Sequence, residues 1–272
     1  MGAGTARGSS FYAGMRVLPR AEREAMYAVY AFCRAVDDIA DDQQGDRATR
    51  AAALDRWRAD IADLDAGGQG GQAAFLGEAI HRFGCRRADF EAVIDGMKMD
   101  VARDICWPSH GELDLYCDRV ASAVGRLSVR IFGMEEAPGV ALAHHLGRAL
   151  QLTNILRDID EDAAIGRLYL PREAIEAAGI RIGDIHGVID DPRIEHVAQG
   201  VAAEARVHFD QAQTILAAHP PGAHLIAPRL MAGAYAMLLG RMMKAGWVAP
   251  RRRVRHNRLR LAGLLIRLKL SK

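Results

Sequence analysis

The segment "AFCRAVDDIADD" (residues 31–42) places four aspartates within six positions at the end of an otherwise apolar run. Asp37 and Asp41 are four apart, so on a helix they share one face about a turn apart. The same step returns in "QLTNILRDIDEDAAIGRLYLP" (151–171), between Asp158 and Asp162; Asn154 extends that face by one turn and Gln151 lies near it. Carboxylates at this spacing repel one another unless a cation intervenes. Oxygen donors without His or Cys point to Mg²⁺, which takes a few carboxylates together with the phosphate oxygens of a substrate. Arg34 precedes the first pair by one turn, and Arg157 and Arg167 flank the second. Their forked donors suit phosphate oxygens, and metal plus arginine is what a departing diphosphate needs. A single such pair is ordinarily a solvated helix face. Two of them, each closing an apolar run and each accompanied by arginine, suggest two helices that hold magnesium ions bridged by a diphosphate.

These residues need helices to position them, and helical periodicity dominates the chain. In "AEREAMYAVYAFCRAVDDIADD", Ala25, Tyr27, Val29, Tyr30, Phe32, Cys33, Val36 and Ile39 form one broad apolar face, with Pro19 suited to the start. Further helices are predicted over 48–65, 72–83, 87–104, 110–132, 137–164, 171–178, 192–218 and 223–246, separated by Gly, Pro or polar clusters. "DAGGQGGQ" (65–72) lacks a preceding strand and a following Gly-Lys-Ser/Thr, so it reads as a flexible connection rather than a phosphate loop. No break resembles a domain linker, and the expectation is one all-α domain over 1–272.

With 272 residues, half of them hydrophobic and only 6% aromatic, the chain suits a helical globular protein. Cys33, Cys85, Cys106 and Cys117 form no CxxC pair, which favours a reduced, cytoplasmic setting. The N-terminus lacks the apolar stretch of a signal peptide, and no apolar run is long enough to span a bilayer. The net charge of +2 conceals a basic end: residues 251–272 hold nine Lys/Arg and no acid. With its leucines at near-helical spacing, the tail 250–272 reads either as an interfacial segment drawn to anionic lipid at the inner face of the membrane or as a terminal helix docked on the body. No recognition fold accompanies it that would indicate nucleic-acid binding.

Both aspartate segments resemble the two signatures of the squalene and phytoene synthase family. The likeness extends to "SSFYAGMRVLP" (9–19) and "YCDRVASAVGRLSVRIFG" (116–133), four motifs in the family order. It implies the isoprenoid (terpenoid) synthase fold, helices around a central apolar cavity, and head-to-head condensation of two prenyl diphosphates. It makes Asp37, Asp41, Asn154, Asp158 and Asp162 metal ligands. Ser10, Tyr30, Arg34, Arg157 and Arg167 become diphosphate contacts, Phe11 a substrate-contacting aromatic, and Gln151 and Glu161 support near the metal. Tyr116 matches a tyrosine implicated in steering the carbocation or in proton loss, and "ASAVG" (121–125) would set small residues against the cavity. Trp247 lies near where some relatives place a tyrosine that contacts diphosphate, and no residue beyond Arg167 is assigned to the expected site.

In finer texture the motifs are most similar to the bacterial presqualene diphosphate synthases of hopanoid biosynthesis. That implies farnesyl diphosphate as substrate, Mg²⁺ as cofactor, no NADPH, and a downstream hopanoid-pathway enzyme as consumer. Phytoene or dehydrosqualene synthase, or a full squalene synthase using NADPH, is the alternative within the family. A non-catalytic prenyl-lipid binder would be expected to lose metal carboxylates, and both pairs are complete. A diphosphate hydrolase would need a general base for which no distinct candidate stands out.

Overall fold

The computed structural model describes residues 15–16, 18–41, 45–219 and 225–270. Among these there is no strand, and the only β-type pairing is an isolated parallel bridge between Cys106 and Leu168. Helix α1 (Arg20–Asp41) buries Ala25, Met26, Val29, Phe32, Val36 and Ala40, the three-to-four spacing of one face. Tyr27, Tyr30, Cys33 and Ile39, expected inside, flank that face and are half-buried.

Helix α2 (Arg47–Asp65) opens at Asp46, whose carboxylate accepts the Thr49 backbone N–H at 2.6 Å. The glycine-rich stretch that follows is ordered rather than slack. Gly67 and Gly70 take left-handed φ of 88° and 71°, and the Gly70 N–H donates back to Asp63 at 2.9 Å. A 3₁₀ turn (Gly71–Leu76) and α3 (Gly77–His81) lead into α4 (Arg87–Ala102). Two arginines of α2 cap neighbouring helices: Arg50 donates to the Ala40 carbonyl of α1 (2.9 Å) and Arg47 to the Ala102 carbonyl of α4 (2.6 Å).

The helix expected over 110–132 is α5 (His110–Cys117), one π turn (Asp118–Ser122) and α6 (Ala123–Ile131). The helix expected over 137–164 divides into α7 (Glu136–Arg157) and α8 (Ile159–Ala164) at Asp158, with φ −106° and ψ 17°. After α9 (Arg172–Ala177) comes α10 (Ile185–Ile189), too short to show a period in the sequence. Helices α11 (Ile194–Ala217), α12 (Ile226–Ala245) and α13 (Arg258–Leu270) follow.

Two clusters of buried side chains share a border at Val120 and Met134. In one, Phe32 of α1 meets Trp57 of α2 and Phe90 of α4 edge-on, at 5.5 and 5.3 Å. The other gathers around α7, which is buried on most of its circumference by α11, α6, the π turn and α12. Glycine makes the tightest approach possible: a Cβ on Gly147 would sit 2.7 Å from the Ser122 backbone nitrogen, and one on Gly125 would sit 3.0 Å from Ala143. Part of "ASAVG" therefore serves close packing. Ala121, Val124 and Gly125 also line an apolar cavity with Met15, Met26, Phe132, Leu146, Gly147 and Leu150.

Gly147→Ala should cost about 1–3 kcal/mol, because backbone rather than a flexible side chain must yield. Gly200→Ala on α11, with open space around the new methyl, should be neutral or mildly stabilising. Urea denaturation of both variants separates the two outcomes.

Candidate active site

Helical register leads from the residues that line the cavity to the acidic segments. On α1, Met26 lines the cavity, and Tyr30, Arg34, Asp37 and Asp41 follow at steps of three or four. On α7, Leu146, Gly147 and Leu150 line it, and Asn154 and Asp158 continue the same row, with Gln151 half-buried beside it. On each helix this row thus passes from apolar cavity-lining residues to polar and acidic ones. The i→i−4 bonding survives the break at Asp158: its N–H donates to the Asn154 carbonyl (2.9 Å), and the Asp162 N–H donates to the Asp158 carbonyl (2.8 Å). The break therefore redirects the chain without losing the row. Ser10 and Phe11 lie outside the described residues.

The two acidic segments meet through a basic and an acidic side chain. Gly166 (φ 81°) reverses the chain after α8, and Arg167 folds back so that its Nη1 donates to Asp41 at 3.0 Å across the site. The reversal is held where the Leu168 N–H donates to the Ile105 carbonyl (2.9 Å) and the Trp107 N–H to the Leu168 carbonyl (2.7 Å). Arg34 is engaged within its own helix, with Asp37 at 2.7 Å and Asp38 at 2.5 Å. Asp38 points outward, its side chain 66% exposed.

The acidic side chain is Asp100 of α4, which the sequence reading missed. It is buried; its Oδ2 accepts the Tyr116 hydroxyl at 3.0 Å and its Oδ1 the Tyr169 hydroxyl at 2.7 Å. The two tyrosine rings stack 4.9 Å apart. Burial, then the Asp100 charge, pushes the Tyr116 phenol well above its ordinary value. Tyr116 therefore offers a ring and a protonated hydroxyl, not a phenolate base. Asp100 opens a DVARD segment and Asp104 stands four residues on, so the spacing that marks the other two pairs is present here as well; the pair is not a shared helix face, because α4 ends at Ala102 and Asp104 turns to Arg47.

Residues beyond Arg167, left out of the expected site, do enter it through Arg253 and Tyr235. Arg157 donates through Nε to Asp158 at 2.9 Å, and Arg253 reaches the same carboxylate at 2.5 Å and Glu161 at 3.1 Å. Tyr235 of α12 bonds Arg157. Trp247, which the family resemblance sets near a diphosphate-contacting tyrosine, is a core residue whose indole N–H donates to the Leu156 carbonyl at 2.9 Å.

Two observations show that this donor set fits a hard cation. Asn154 Oδ1 is buried and accepts no hydrogen bond, an expensive state for an amide oxygen unless something binds there. Asp37 is pushed up to about 6 and Asp162 to about 7, first by burial and next by the neighbouring charges of Asp41 and Asp158 respectively. No His or Cys joins the set, which disfavours softer ions.

Residues 5–260 match the squalene/phytoene synthase family. The chain belongs to that family. Its members are prenyltransferases, enzymes of a generally divalent-metal-dependent type. The chain is 59% identical over 266 residues to a presqualene diphosphate synthase of Zymomonas mobilis, covering 98% of this chain and 91% of that one. It is 53% identical to the presqualene diphosphate synthase of Rhodopseudomonas palustris, covering 91% and 88%. Among solved structures, a dehydrosqualene synthase with bound ligand superposes with a TM-score of 0.81 at 25% identity, over 97% of this chain and 92% of that one. A squalene synthase of Alicyclobacillus acidocaldarius gives 0.75 at 27%, over 90% and 96%. The fold is that of the isoprenoid synthases.

The raised carboxyls have a consequence for stability. Between about pH 4 and pH 7 the folded chain holds protons on Asp37 and Asp162 that the unfolded chain has released. These two groups therefore oppose folding increasingly as pH rises through that window. In EDTA at pH 8, Asp162→Asn should melt at a higher temperature than the parent, and the gap should close near pH 4. Adding Mg²⁺ should raise the melting temperature of the parent and leave the variant nearly unmoved. Differential scanning fluorimetry reads both effects.

Proposed function

We propose that the protein condenses two farnesyl diphosphates head to head into presqualene diphosphate, releasing one diphosphate and one proton. The near-full-length likeness to presqualene diphosphate synthases carries this reading. The apolar cavity lined by α1 and α7, with the carboxylates further along the same two helices, supports it. In this reading Asp37, Asp41, Asn154, Asp158 and Asp162 hold Mg²⁺, which when bound supplies positive charge to the diphosphate oxygens. The chain's own residues do the rest. Arg34, Arg157, Arg167 and Arg253 exchange their present carboxylate partners for phosphate oxygens and share the charge of the leaving group. The apolar walls exclude water from the allylic cation and align the second chain's double bond for attack. Loss of a proton then closes the cyclopropane. The net reaction involves no oxidation or reduction, so it calls for no NADPH, and the product would pass to a downstream enzyme of hopanoid synthesis.

Protein incubated with farnesyl diphosphate and Mg²⁺, without NADPH, should accumulate presqualene diphosphate. A C30 or C40 hydrocarbon would move the assignment to another member of the family, and farnesol alone would indicate hydrolysis. Asp37→Ala or Asp158→Ala should lower turnover by more than about 100-fold, beyond what loss of an outer-shell partner costs. Near-parental rates would remove these residues from the metal set.

We also propose that α13 makes peripheral contact with anionic membrane. Leu261 and Leu264 face α12, where Leu264 approaches Gly233. Leu259 and Ile266, seven apart on one face, are 85% and 60% exposed beside Arg260 and Arg267. Co-sedimentation with phosphatidylglycerol-containing vesicles at low salt should capture the protein. Leu259→Asp/Ile266→Asp should release it, and failure of the parent to sediment would refute the contact.

A further inference from the structure

Away from the acidic mouth, α7 and α11 bring three imidazoles together. His144 and His145 of α7 and His208 of α11 are each half-buried, and one ring nitrogen from each lies within 4.8 Å of the other two. The Nδ1 atoms of His145 and His208 are 3.0 Å apart. Two nitrogens on a tetrahedral zinc ion lie about 3.3 Å apart, given Zn–N bonds near 2.0–2.1 Å. The pair is already close to that span, and His144 completes the set by side-chain rotation.

We propose that His144, His145 and His208 form a binding site for a borderline divalent transition cation, of which Zn²⁺ is the type, that clips α7 to α11.

The donor chemistry distinguishes this site from the carboxylate cluster, since three imidazoles and no oxygen donor select zinc-like ions over magnesium. His145 and Asn154 are nine residues apart on α7, or about 14 Å at ~1.5 Å per residue. Burial first lowers all three imidazoles, His208 to about 4, so at neutral pH they carry lone pairs rather than charge. The cation nearest them, Arg148, is neutralised by Asp114 at 2.6 and 3.0 Å and approaches Asp118 at 3.3 Å. At present one Nδ1–H must donate to the other Nδ1. An incoming cation takes both lone pairs. The displaced proton is returned at Nε2 of the same ring, so both imidazoles stay neutral and no net proton is released.

The test uses untagged full-length protein stripped with EDTA and then held in excess Mg²⁺ to occupy the carboxylates. Co²⁺ should bind at one equivalent with the intense visible bands of tetrahedral nitrogen ligation, and Zn²⁺ should displace it and raise the melting temperature. His145→Gln and His208→Gln should each weaken uptake by at least about 100-fold. Their circular dichroism and Mg²⁺-dependent turnover of farnesyl diphosphate should remain parental, which shows that they fold. Asp158→Asn should keep the equivalent, separating this site from the one proposed for catalysis. Zinc-edge X-ray absorption of the parent should show about three imidazole nitrogens near 2.0 Å. An oxygen-only shell, uptake unchanged by the histidine substitutions, or no uptake at about 0.1 mM Zn²⁺ would each overturn the proposal.

Discussion

Mutual repulsion among the carboxylates at the mouth is the constraint on which the rest of the architecture depends. After burial, the charges of Asp41 and Asp100 raise Asp37, that of Asp41 raises Asp100, and those of Asp158 and Asp100 raise Asp162. Left to side-chain preference, these groups would spread apart into water. They are held by the burial of the helices that carry them: α1 is fixed by the Phe32–Trp57–Phe90 cluster, and α7 is packed nearly all round. The apolar core holds the electrostatic strain in place, and the arginines relieve part of it. Arg167 crosses to Asp41, and Arg157 and Arg253 converge on Asp158. Such a site is pre-organised for positive charge, because the cost of assembling like charges is met on folding and recovered when a cation arrives.

The same helical period that brings acids together also joins them to the cavity. On both α1 and α7 one row changes from apolar to polar within two turns, so substrate tail and headgroup would meet walls of matching chemistry without a separate loop or domain. Glycine and small residues at the α6–α7 contact draw the backbones together there. The π turn at 118–122 shifts the register between α5 and α6, so that Tyr116 faces Asp100 while Ala121, Val124 and Gly125 face the cavity.

Legibility in the sequence followed this periodicity. The pairs Asp37/Asp41 and Asp158/Asp162 stand out because they repeat at helical spacing within long apolar patterns, and the long helices are readable for the same reason. Asp100 has Asp104 four residues on, but that step spans the end of α4, and the importance of Asp100, like that of the single Tyr169, arises only when α4 and the segment after α8 come together in space. The break at Asp158 is hidden because the hydrogen-bonding row, and hence the apparent period, continues through it. The glycine-rich 65–72 stretch looks slack in composition, yet acids of the preceding helix tie it down.

The basic C-terminus shows most clearly why charge read along a chain differs from charge in a fold. As sequence, residues 250–272 form one cationic tail. In the structure Arg251 bonds Asp160 at 2.6 Å and the Trp247 and Ile189 carbonyls at 2.9 and 2.7 Å. Arg253 bonds Asp158 and Glu161. These two cations neutralise the second acidic segment and contribute little field to a distant surface. Arg253 shares the Asp158 carboxylate with Arg157, so any group that displaces Arg253 from Asp158 leaves a guanidinium beside the mouth. The remaining charge on α13 is separate, because that helix follows the pinned segment and packs on α12. One run of nine basic residues thus divides between balancing the acidic mouth and charging an exposed helix, and each part answers to a different neighbour.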